Sequence, residues 1–369
     1  MKRALVLTVS IGGGHNATSR AIKEYSENFR DDYQVEIVDI LEYIRPVLSK
    51  IAGKGYEINA KTFPEVYGWL YELNNSTEGK LTKNNLSLFY TKLKELIEKF
   101  QPDYIICVHP VSIGNIIKTR KKFGYQYKIV VLVTDYDYHS SWIHEEADIF
   151  IVSSNYMKFR MMDDGIPIEK IKVTGIPTSL DNNKITLKDE ARRILELKDK
   201  TTILAMGGSF GAGKFKRLMD VIGESDLDIQ MVFIAGKNKR TKRILEKHMK
   251  EFDKDFRVVG YTDQVSLYMD ASDFLITKPG GLTISEALIK NIPIIINNPI
   301  PGQEEENAIY LLNKGIAVRL NKDNEISALL KDLINDPIRI NNMKEMQKHY
   351  SKPNASEDLF NVLDTFETQ

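Results

Sequence analysis

Short runs of consecutive apolar residues recur along the whole chain, separated by stretches in which apolar positions return every three or four residues. The runs fall at 4–10, 34–40, 104–108, 129–134, 149–153 and 171–174. They begin again at 202–206, 229–235, 257–259, 274–277 and 292–297. A strand with one face in water alternates apolar and polar residues. Most of these runs do not alternate, so they predict strands covered on both faces. Helical spacing between them, as at 17–29, predicts crossover helices and therefore parallel sheet. The rhythm pauses at a polar stretch, 178–200, with a turn-like Asp181-Asn182-Asn183 and a charged helix. The expected fold class is α/β, two Rossmann-like doubly wound units facing each other across a cleft. Their expected extents are 1–178 and 201–350, with a linker at 179–200 and a tail helix at 351–369.

Length and composition agree with this pattern. A chain of 369 residues is too long for one ordinary core, and 42% hydrophobic with 28% charged residues is a globular mix. The formal net charge is +0, which removes any global electrostatic case for nucleic acid. Cys107 is the single cysteine, so no internal disulfide is expected and a reducing compartment is. No apolar run approaches the ~18 residues needed to span a bilayer. Met1-Lys2-Arg3 ahead of an apolar run imitates a short signal peptide. A polar helix without a small-residue cleavage pattern follows, so a first strand and a cytoplasmic location are expected.

Charge changes the picture only locally. Residues 45–122 hold thirteen Lys or Arg against seven Asp or Glu, a formal net of +6, with Tyr56, Phe63, Tyr67, Trp69, Tyr71, Phe89 and Tyr90 interspersed. One reading is an irregular helical insertion with an aromatic core and a solvated basic face. The other is an interfacial surface, with Lys50, Lys54, Lys80 and Lys83 meeting anionic headgroups and aromatics entering the lipid boundary.

Four segments carry candidate chemistry. Ser10-Ile11-Gly12-Gly13-Gly14-His15 lies between a strand and a helix. Its glycines expose backbone N–H groups, and a helix start would keep His15 neutral and able to take a proton. Gly-x-Gly-x-x-Gly is absent, since Ala17 stands where its last glycine would fall. Gly208 to Lys214 satisfies G-x-x-x-x-G-K, but Phe215 stands where a P-loop needs a hydroxyl for magnesium. A glycine loop holding a diphosphate without metal remains. The strand at 129–134 runs into Asp135-Tyr136-Asp137-Tyr138-His139. Three readings stay open there: a divalent-metal site, an acceptor-side lining with His139 and His144, or simple strand-end capping.

The fourth segment, 274–307, organises the rest. A strand, the turn Lys278-Pro279-Gly280-Gly281 and a helix opening at Leu282-Thr283 form an anion-binding helix start. Beyond the next strand, Gln303, Glu304 and Asn307 form a polar set suited to sugar hydroxyls, and Glu286 suits a ribose.

The stretches SIGGGH, VTDYDYHSSWIH, VTGIP, GGSFGAG and KPGGLTISEALIKNIPIIINNPIPGQEEENA resemble, in order, the monogalactosyldiacylglycerol synthase and processive diacylglycerol glucosyltransferase family. The resemblance implies a GT-B fold and inverting, metal-free transfer from a UDP-sugar to diacylglycerol at the cytoplasmic face of the membrane. Glucose is the expected hexose, UDP-galactose the other donor considered, and a lipid-linked or polyprenyl acceptor the alternative substrate. Carried across residue by residue, His15 is the catalytic position, with Gly13, Gly14, Asp135 and His139 on the acceptor side. Gly208, Ser209, Gly211, Lys278, Gly280, Gly281 and Thr283 match the diphosphate site, and Glu286 the ribose site. Gln303 and Glu304 match the sugar contacts, and Tyr261 lies near the base-binding segment. No cofactor is implied beyond the UDP-sugar substrate. Asp137 departs from the family wording.

Overall fold

Twelve strands form two all-parallel sheets in a computed structural model that describes residues 1–9, 13–44, 83–207 and 212–367. The first sheet comprises β1 (Lys2–Thr8), β2 (Tyr33–Asp39), β3 (Tyr104–Cys107), β4 (Lys128–Leu132), β5 (Ile149–Val152) and β6 (Ile171–Val173). Their order across the sheet is β2-β1-β3-β4-β5-β6. The second comprises β7 (Thr202–Met206), β8 (Gln230–Ile234), β9 (Asp255–Val259), β10 (Phe274–Thr277), β11 (Ile294–Asn297) and β12 (Ala317–Leu320). Their order is β12-β11-β10-β7-β8-β9. The unbroken apolar runs become central strands: β3, β4, β5 and β10 are buried at nearly every position because helices cover both faces.

The chain separates into two compact units, Met1–Leu180 with Asn354–Gln369, and Asp181–Pro353. In the first unit the helix Ala355–Asp364 seals one face of the sheet. Phe360 is fully buried against Tyr25 and Tyr33, and Tyr104 Oη donates to Leu363 O at 3.0 Å. Asp364 there accepts from Lys2, Arg30 and Tyr33. In the second unit the core runs from Ile203 and Phe215 through Phe233 and Ile276 to Leu330.

Three local readings differ from expectation. The segment read as a turn at Asp181-Asn182-Asn183 is a short helix, Leu180–Asn183. The first long helix starts at Gly14 rather than 17, because Gly13 takes an αR conformation and is itself the N-cap. β12 was not anticipated, because Arg319 interrupts its apolar run.

Each sheet has one point where the strand order reverses, and loops leaving the carboxyl ends there diverge and open a crevice. In the first sheet that point lies between β1 and β3. In the second it lies between β7 and β10, whose register pairs Phe274 with Ile203 and Ile276 with Ala205.

Candidate active site

His15 stands at the first of these points. It is the second residue of the helix Gly14–Phe29, half-buried, and its Nδ1 lies 2.8 Å from Val108 O, just beyond β3. A carbonyl oxygen only accepts, so Nδ1 carries the hydrogen and Nε2 presents a lone pair. Thr134 Oγ1, beyond β4, approaches the same Nδ1 at 2.9 Å. Loops after three strands thus fix one ring and its tautomer. Withdrawal of the ring from water lowers its pKa to about 4, with the bond to Val108 O acting in the opposite sense. His15 is therefore neutral near pH 7.

His109 was missed by sequence reasoning, and a lone histidine after a strand carries no pattern to find it. Its ring meets that of His15 edge-on with centroids 4.8 Å apart. Its Nδ1 accepts the Val111 N–H at 3.2 Å and caps the helix Pro110–Phe123. Burial holds His109 well below the ordinary imidazole range, with repulsion from a protonated His15 or His139 adding to it.

The Asp135-x-Asp137 segment separates into unlike parts. Asp137 is buried and ion-paired with Arg160, and it also accepts the Tyr138 N–H at 2.7 Å. A carboxylate already neutralised by a guanidinium is a poor ligand for a divalent ion, which corrects the metal reading of this pair. Among the described residues no group of three or more His, Cys, Asp or Glu is placed to hold a metal. Asp135 is half-buried beside Thr134, whereas His139 is exposed, near Ser141 and Trp142. His144 packs on Gly114 instead, its ring 3.4 Å from where a Cβ would sit. Gly13 is exposed, and Gly14 half-buried at the start of the helix.

Other candidates follow β10, at the second reversal point, and the strands β9 and β11 of the same sheet. The helix Gly281–Lys290 begins directly after β10, with Gly280 as N-cap, no side-chain cap and no acid in its first turn. Its orphan N–H groups and dipole are thus open to an anion. By contrast, the helix Gln303–Asn313 begins with Glu304, Glu305 and Glu306, which repel one. Lys278 and Thr283 flank the open start, both half-buried. Asn307 is fully buried and donates from Nδ2 to Pro279 O at 2.9 Å, which ties the turn after β10 to the helix after β11. Gly302, at φ +99°, makes the preceding bend in a region that L side chains rarely enter. Glu304 turns back to accept the Ile300 N–H at 2.7 Å, and Gln303 precedes it at the helix start.

Glu286, one turn into the helix Gly281–Lys290, receives Asn182 Nδ2 on Oε1 at 3.2 Å. Burial raises its pKa to about 7, against the bond from Asn182. Tyr261, beyond β9, is 69% exposed with Lys237 over its ring at 5.0 Å. The glycine loop positions Gly208, Ser209 and Gly211 lie outside the described residues, as do Ser10 to Gly12. The helix after that loop runs Ala212–Gly223. Phe215 on it is fully buried against Phe233, so the P-loop position has become core. Of the basic and aromatic residues at 45–122, those at 45–82 also lie outside the described residues. Within the remainder, Lys94 and Lys122 sit over the Phe123 ring, and Lys122 also over Tyr90.

Comparison with known proteins follows the same division. The family model for monogalactosyldiacylglycerol (MGDG) synthase matches residues 15–178, and that for the glycosyltransferase family 28 C-terminal domain matches residues 202–359. The processive diacylglycerol beta-glucosyltransferase of Staphylococcus haemolyticus is 31% identical over 380 residues, covering 100% of this chain and 95% of the relative. That of Staphylococcus saprophyticus is 32% identical over 372 residues, covering 98% and 93%. Among solved structures, MurG of Acinetobacter baumannii aligns with a TM-score of 0.69 at 13% identity, covering 99% of this chain and 100% of that one. Staphylococcus aureus MnaA with UDP aligns at 0.64 and 19%, covering 100% and 97%. At such identities the structures carry the fold alone.

Proposed function

The chain belongs to the monogalactosyldiacylglycerol synthase and processive diacylglycerol glucosyltransferase family, and we propose from this and from the site a role for each part. It is a glycosyltransferase of GT-B fold that moves a sugar from a UDP-sugar to 1,2-diacylglycerol. The sugar is glucose, as in the names of the relatives, and the product is a β-glycosyl diacylglycerol.

In the proposed reaction His15 Nε2 takes the proton of the acceptor hydroxyl as its oxygen attacks the anomeric carbon. The bond from that carbon to the diphosphate breaks on the opposite face, and UDP leaves with the electron pair. The observation that carries this is the fixed tautomer of His15, with Nδ1–H committed to Val108 O. The uncapped N–H groups at Gly281 would bind the departing diphosphate, with Lys278, Gly280, Thr283 and the Gly208, Ser209 and Gly211 loop beside them. Glu286 would accept the ribose hydroxyls, Gln303 and Glu304 the sugar hydroxyls, and Tyr261 would lie against the base. Gly13, Gly14, Asp135 and His139 would line the acceptor side. Oriented dipoles replace a metal ion in this scheme. Diacylglycerol is met at an anionic membrane surface, a reading supported by the net +6 of residues 45–122.

A positioned base contributes about 10²–10⁴-fold, so His15→Ala is expected to lower kcat by that factor with little change in donor KM. Near-normal turnover of His15→Ala on UDP-glucose and diacylglycerol would remove the base assignment.

A further inference from the structure

The segment after Leu180 is fixed onto the second unit by bonds on several sides. Ser266 Oγ donates to Asp181 O at 2.8 Å, and Asn183 Nδ2 donates to Pro353 O at 2.9 Å. Lys290 Nζ donates to Lys184 O at 2.6 Å, and the Thr186 N–H donates to Asp270 Oδ2 at 3.2 Å. Asp270 and Lys290 are themselves a buried ion pair at 2.7 Å. A chain held this way has little freedom, and the one buried amide side chain on its short helix is Asn182, which meets Glu286.

We propose that Asn182 is a positioning residue for the donor, holding the Glu286 carboxylate in the orientation that accepts both hydroxyls of the nucleotide ribose. This rests on the assignment of Glu286 to the ribose made above. A diol offers two O–H donors, and a carboxylate accepts both, whereas a protonated carboxyl accepts fewer and more weakly. The Asn182 amide donates to Oε1 and favours the ionised form, while among the described residues no donor is placed on Oε2. Other groups leave this balance alone. The helix Val265–Ala271 brings Asp270, neutralised by Lys290. The helix Pro337–Tyr350 brings Gln347, whose amide is spent on Ile292 O and Ile316 O. Desolvation and the Asn182 bond are thus the two influences on Glu286.

The test is steady-state kinetics of full-length Asn182→Leu, Asn182→Ser and Glu286→Ala across pH 5.5 to 9. A hydrogen bond to a charged group is worth about 10- to 100-fold, so Asn182→Leu should raise the UDP-glucose KM by that factor near pH 7 with kcat changed far less. The midpoint of the pH dependence of kcat/KM for the donor should move upward from the wild type, so that part of the loss is recovered at pH 9. Asn182→Ser keeps a donor hydroxyl and should lie between the two. If Asn182→Leu does not accumulate as folded protein, the serine variant carries the same comparison. A wild-type KM and an unmoved midpoint in the Asn182 variants, with KM raised in Glu286→Ala, overturns the inference and leaves the ribose assignment standing. A wild-type KM in Glu286→Ala overturns the ribose assignment and this inference with it.

Discussion

Two ionisable groups, His15 and Glu286, are shifted by burial in directions that suit the opposite tasks proposed for them. His15 is lowered to about 4, so its neutral form persists through the whole physiological range. Its weak basicity is the cost, and the Nδ1–H bond to Val108 O restores part of it by making the ring more electron-rich. Glu286 is raised to about 7, so donor affinity should gain as pH rises through neutrality. The expected pH profile therefore has two separate limbs. The kcat of the saturated enzyme should fall only as pH approaches about 4, where His15 takes a proton. Donor KM should begin to worsen on going below about 7. The stability sign for His15 follows from linkage: between about 4 and the ordinary 6.5 the unfolded chain binds the extra proton, so this group favours unfolding as pH falls through that window. A single limb near 6.5 in kcat would contradict a His15 whose pKa is lowered to about 4.

At the scale of elements, helix starts decide where charge goes. The helix at Gly281 has no acid in its first turn and no side-chain cap, whereas that at Gln303 carries three acids within one turn. The proposed place for the diphosphate is therefore the first. Gly280 offers a clean test because its backbone, at φ −71° and ψ 138°, suits any residue, and a Cβ there would meet nothing within 4 Å. Gly280→Ala should leave Tm within about 1–2 °C, since an unstrained glycine-to-alanine change is worth under ~1 kcal/mol. It should nonetheless raise KM for the UDP-sugar, because the methyl group stands where the ligand must approach the backbone. An unchanged KM would place the diphosphate elsewhere.

Legibility also divides by element. Buried parallel strands announce themselves as apolar runs, and a glycine turn announces a helix start, so β10 and the helix after it were readable from 274–307 alone. His15 was readable because it sits within a glycine motif. His109 and Asn182 were not. Asn182 meets a residue 104 positions away, and a polar cluster of Asp and Asn reads as a turn until the partners that hold it are known. β12 was hidden because Arg319 interrupts its apolar run, and its identity as a strand is set by pairing with β11, a tertiary choice.

For the whole molecule, two parallel sheets with their reversal points, a tautomer-fixed histidine in one unit and an open helix start in the other fit one reaction class. Among the described residues no helix is long and apolar enough to cross a membrane. The most direct measurement is mass spectrometry of the lipids formed when the purified full chain is given UDP-glucose and diacylglycerol in vesicles with and without anionic lipid, in the presence of EDTA. The account predicts a hexosyl diacylglycerol in β-linkage, formed faster on the anionic vesicles and lost in His15→Ala. The central claim is contradicted if diacylglycerol remains unglycosylated while a polyprenyl or lipid-linked acceptor takes the sugar, or if turnover with diacylglycerol stops on chelation.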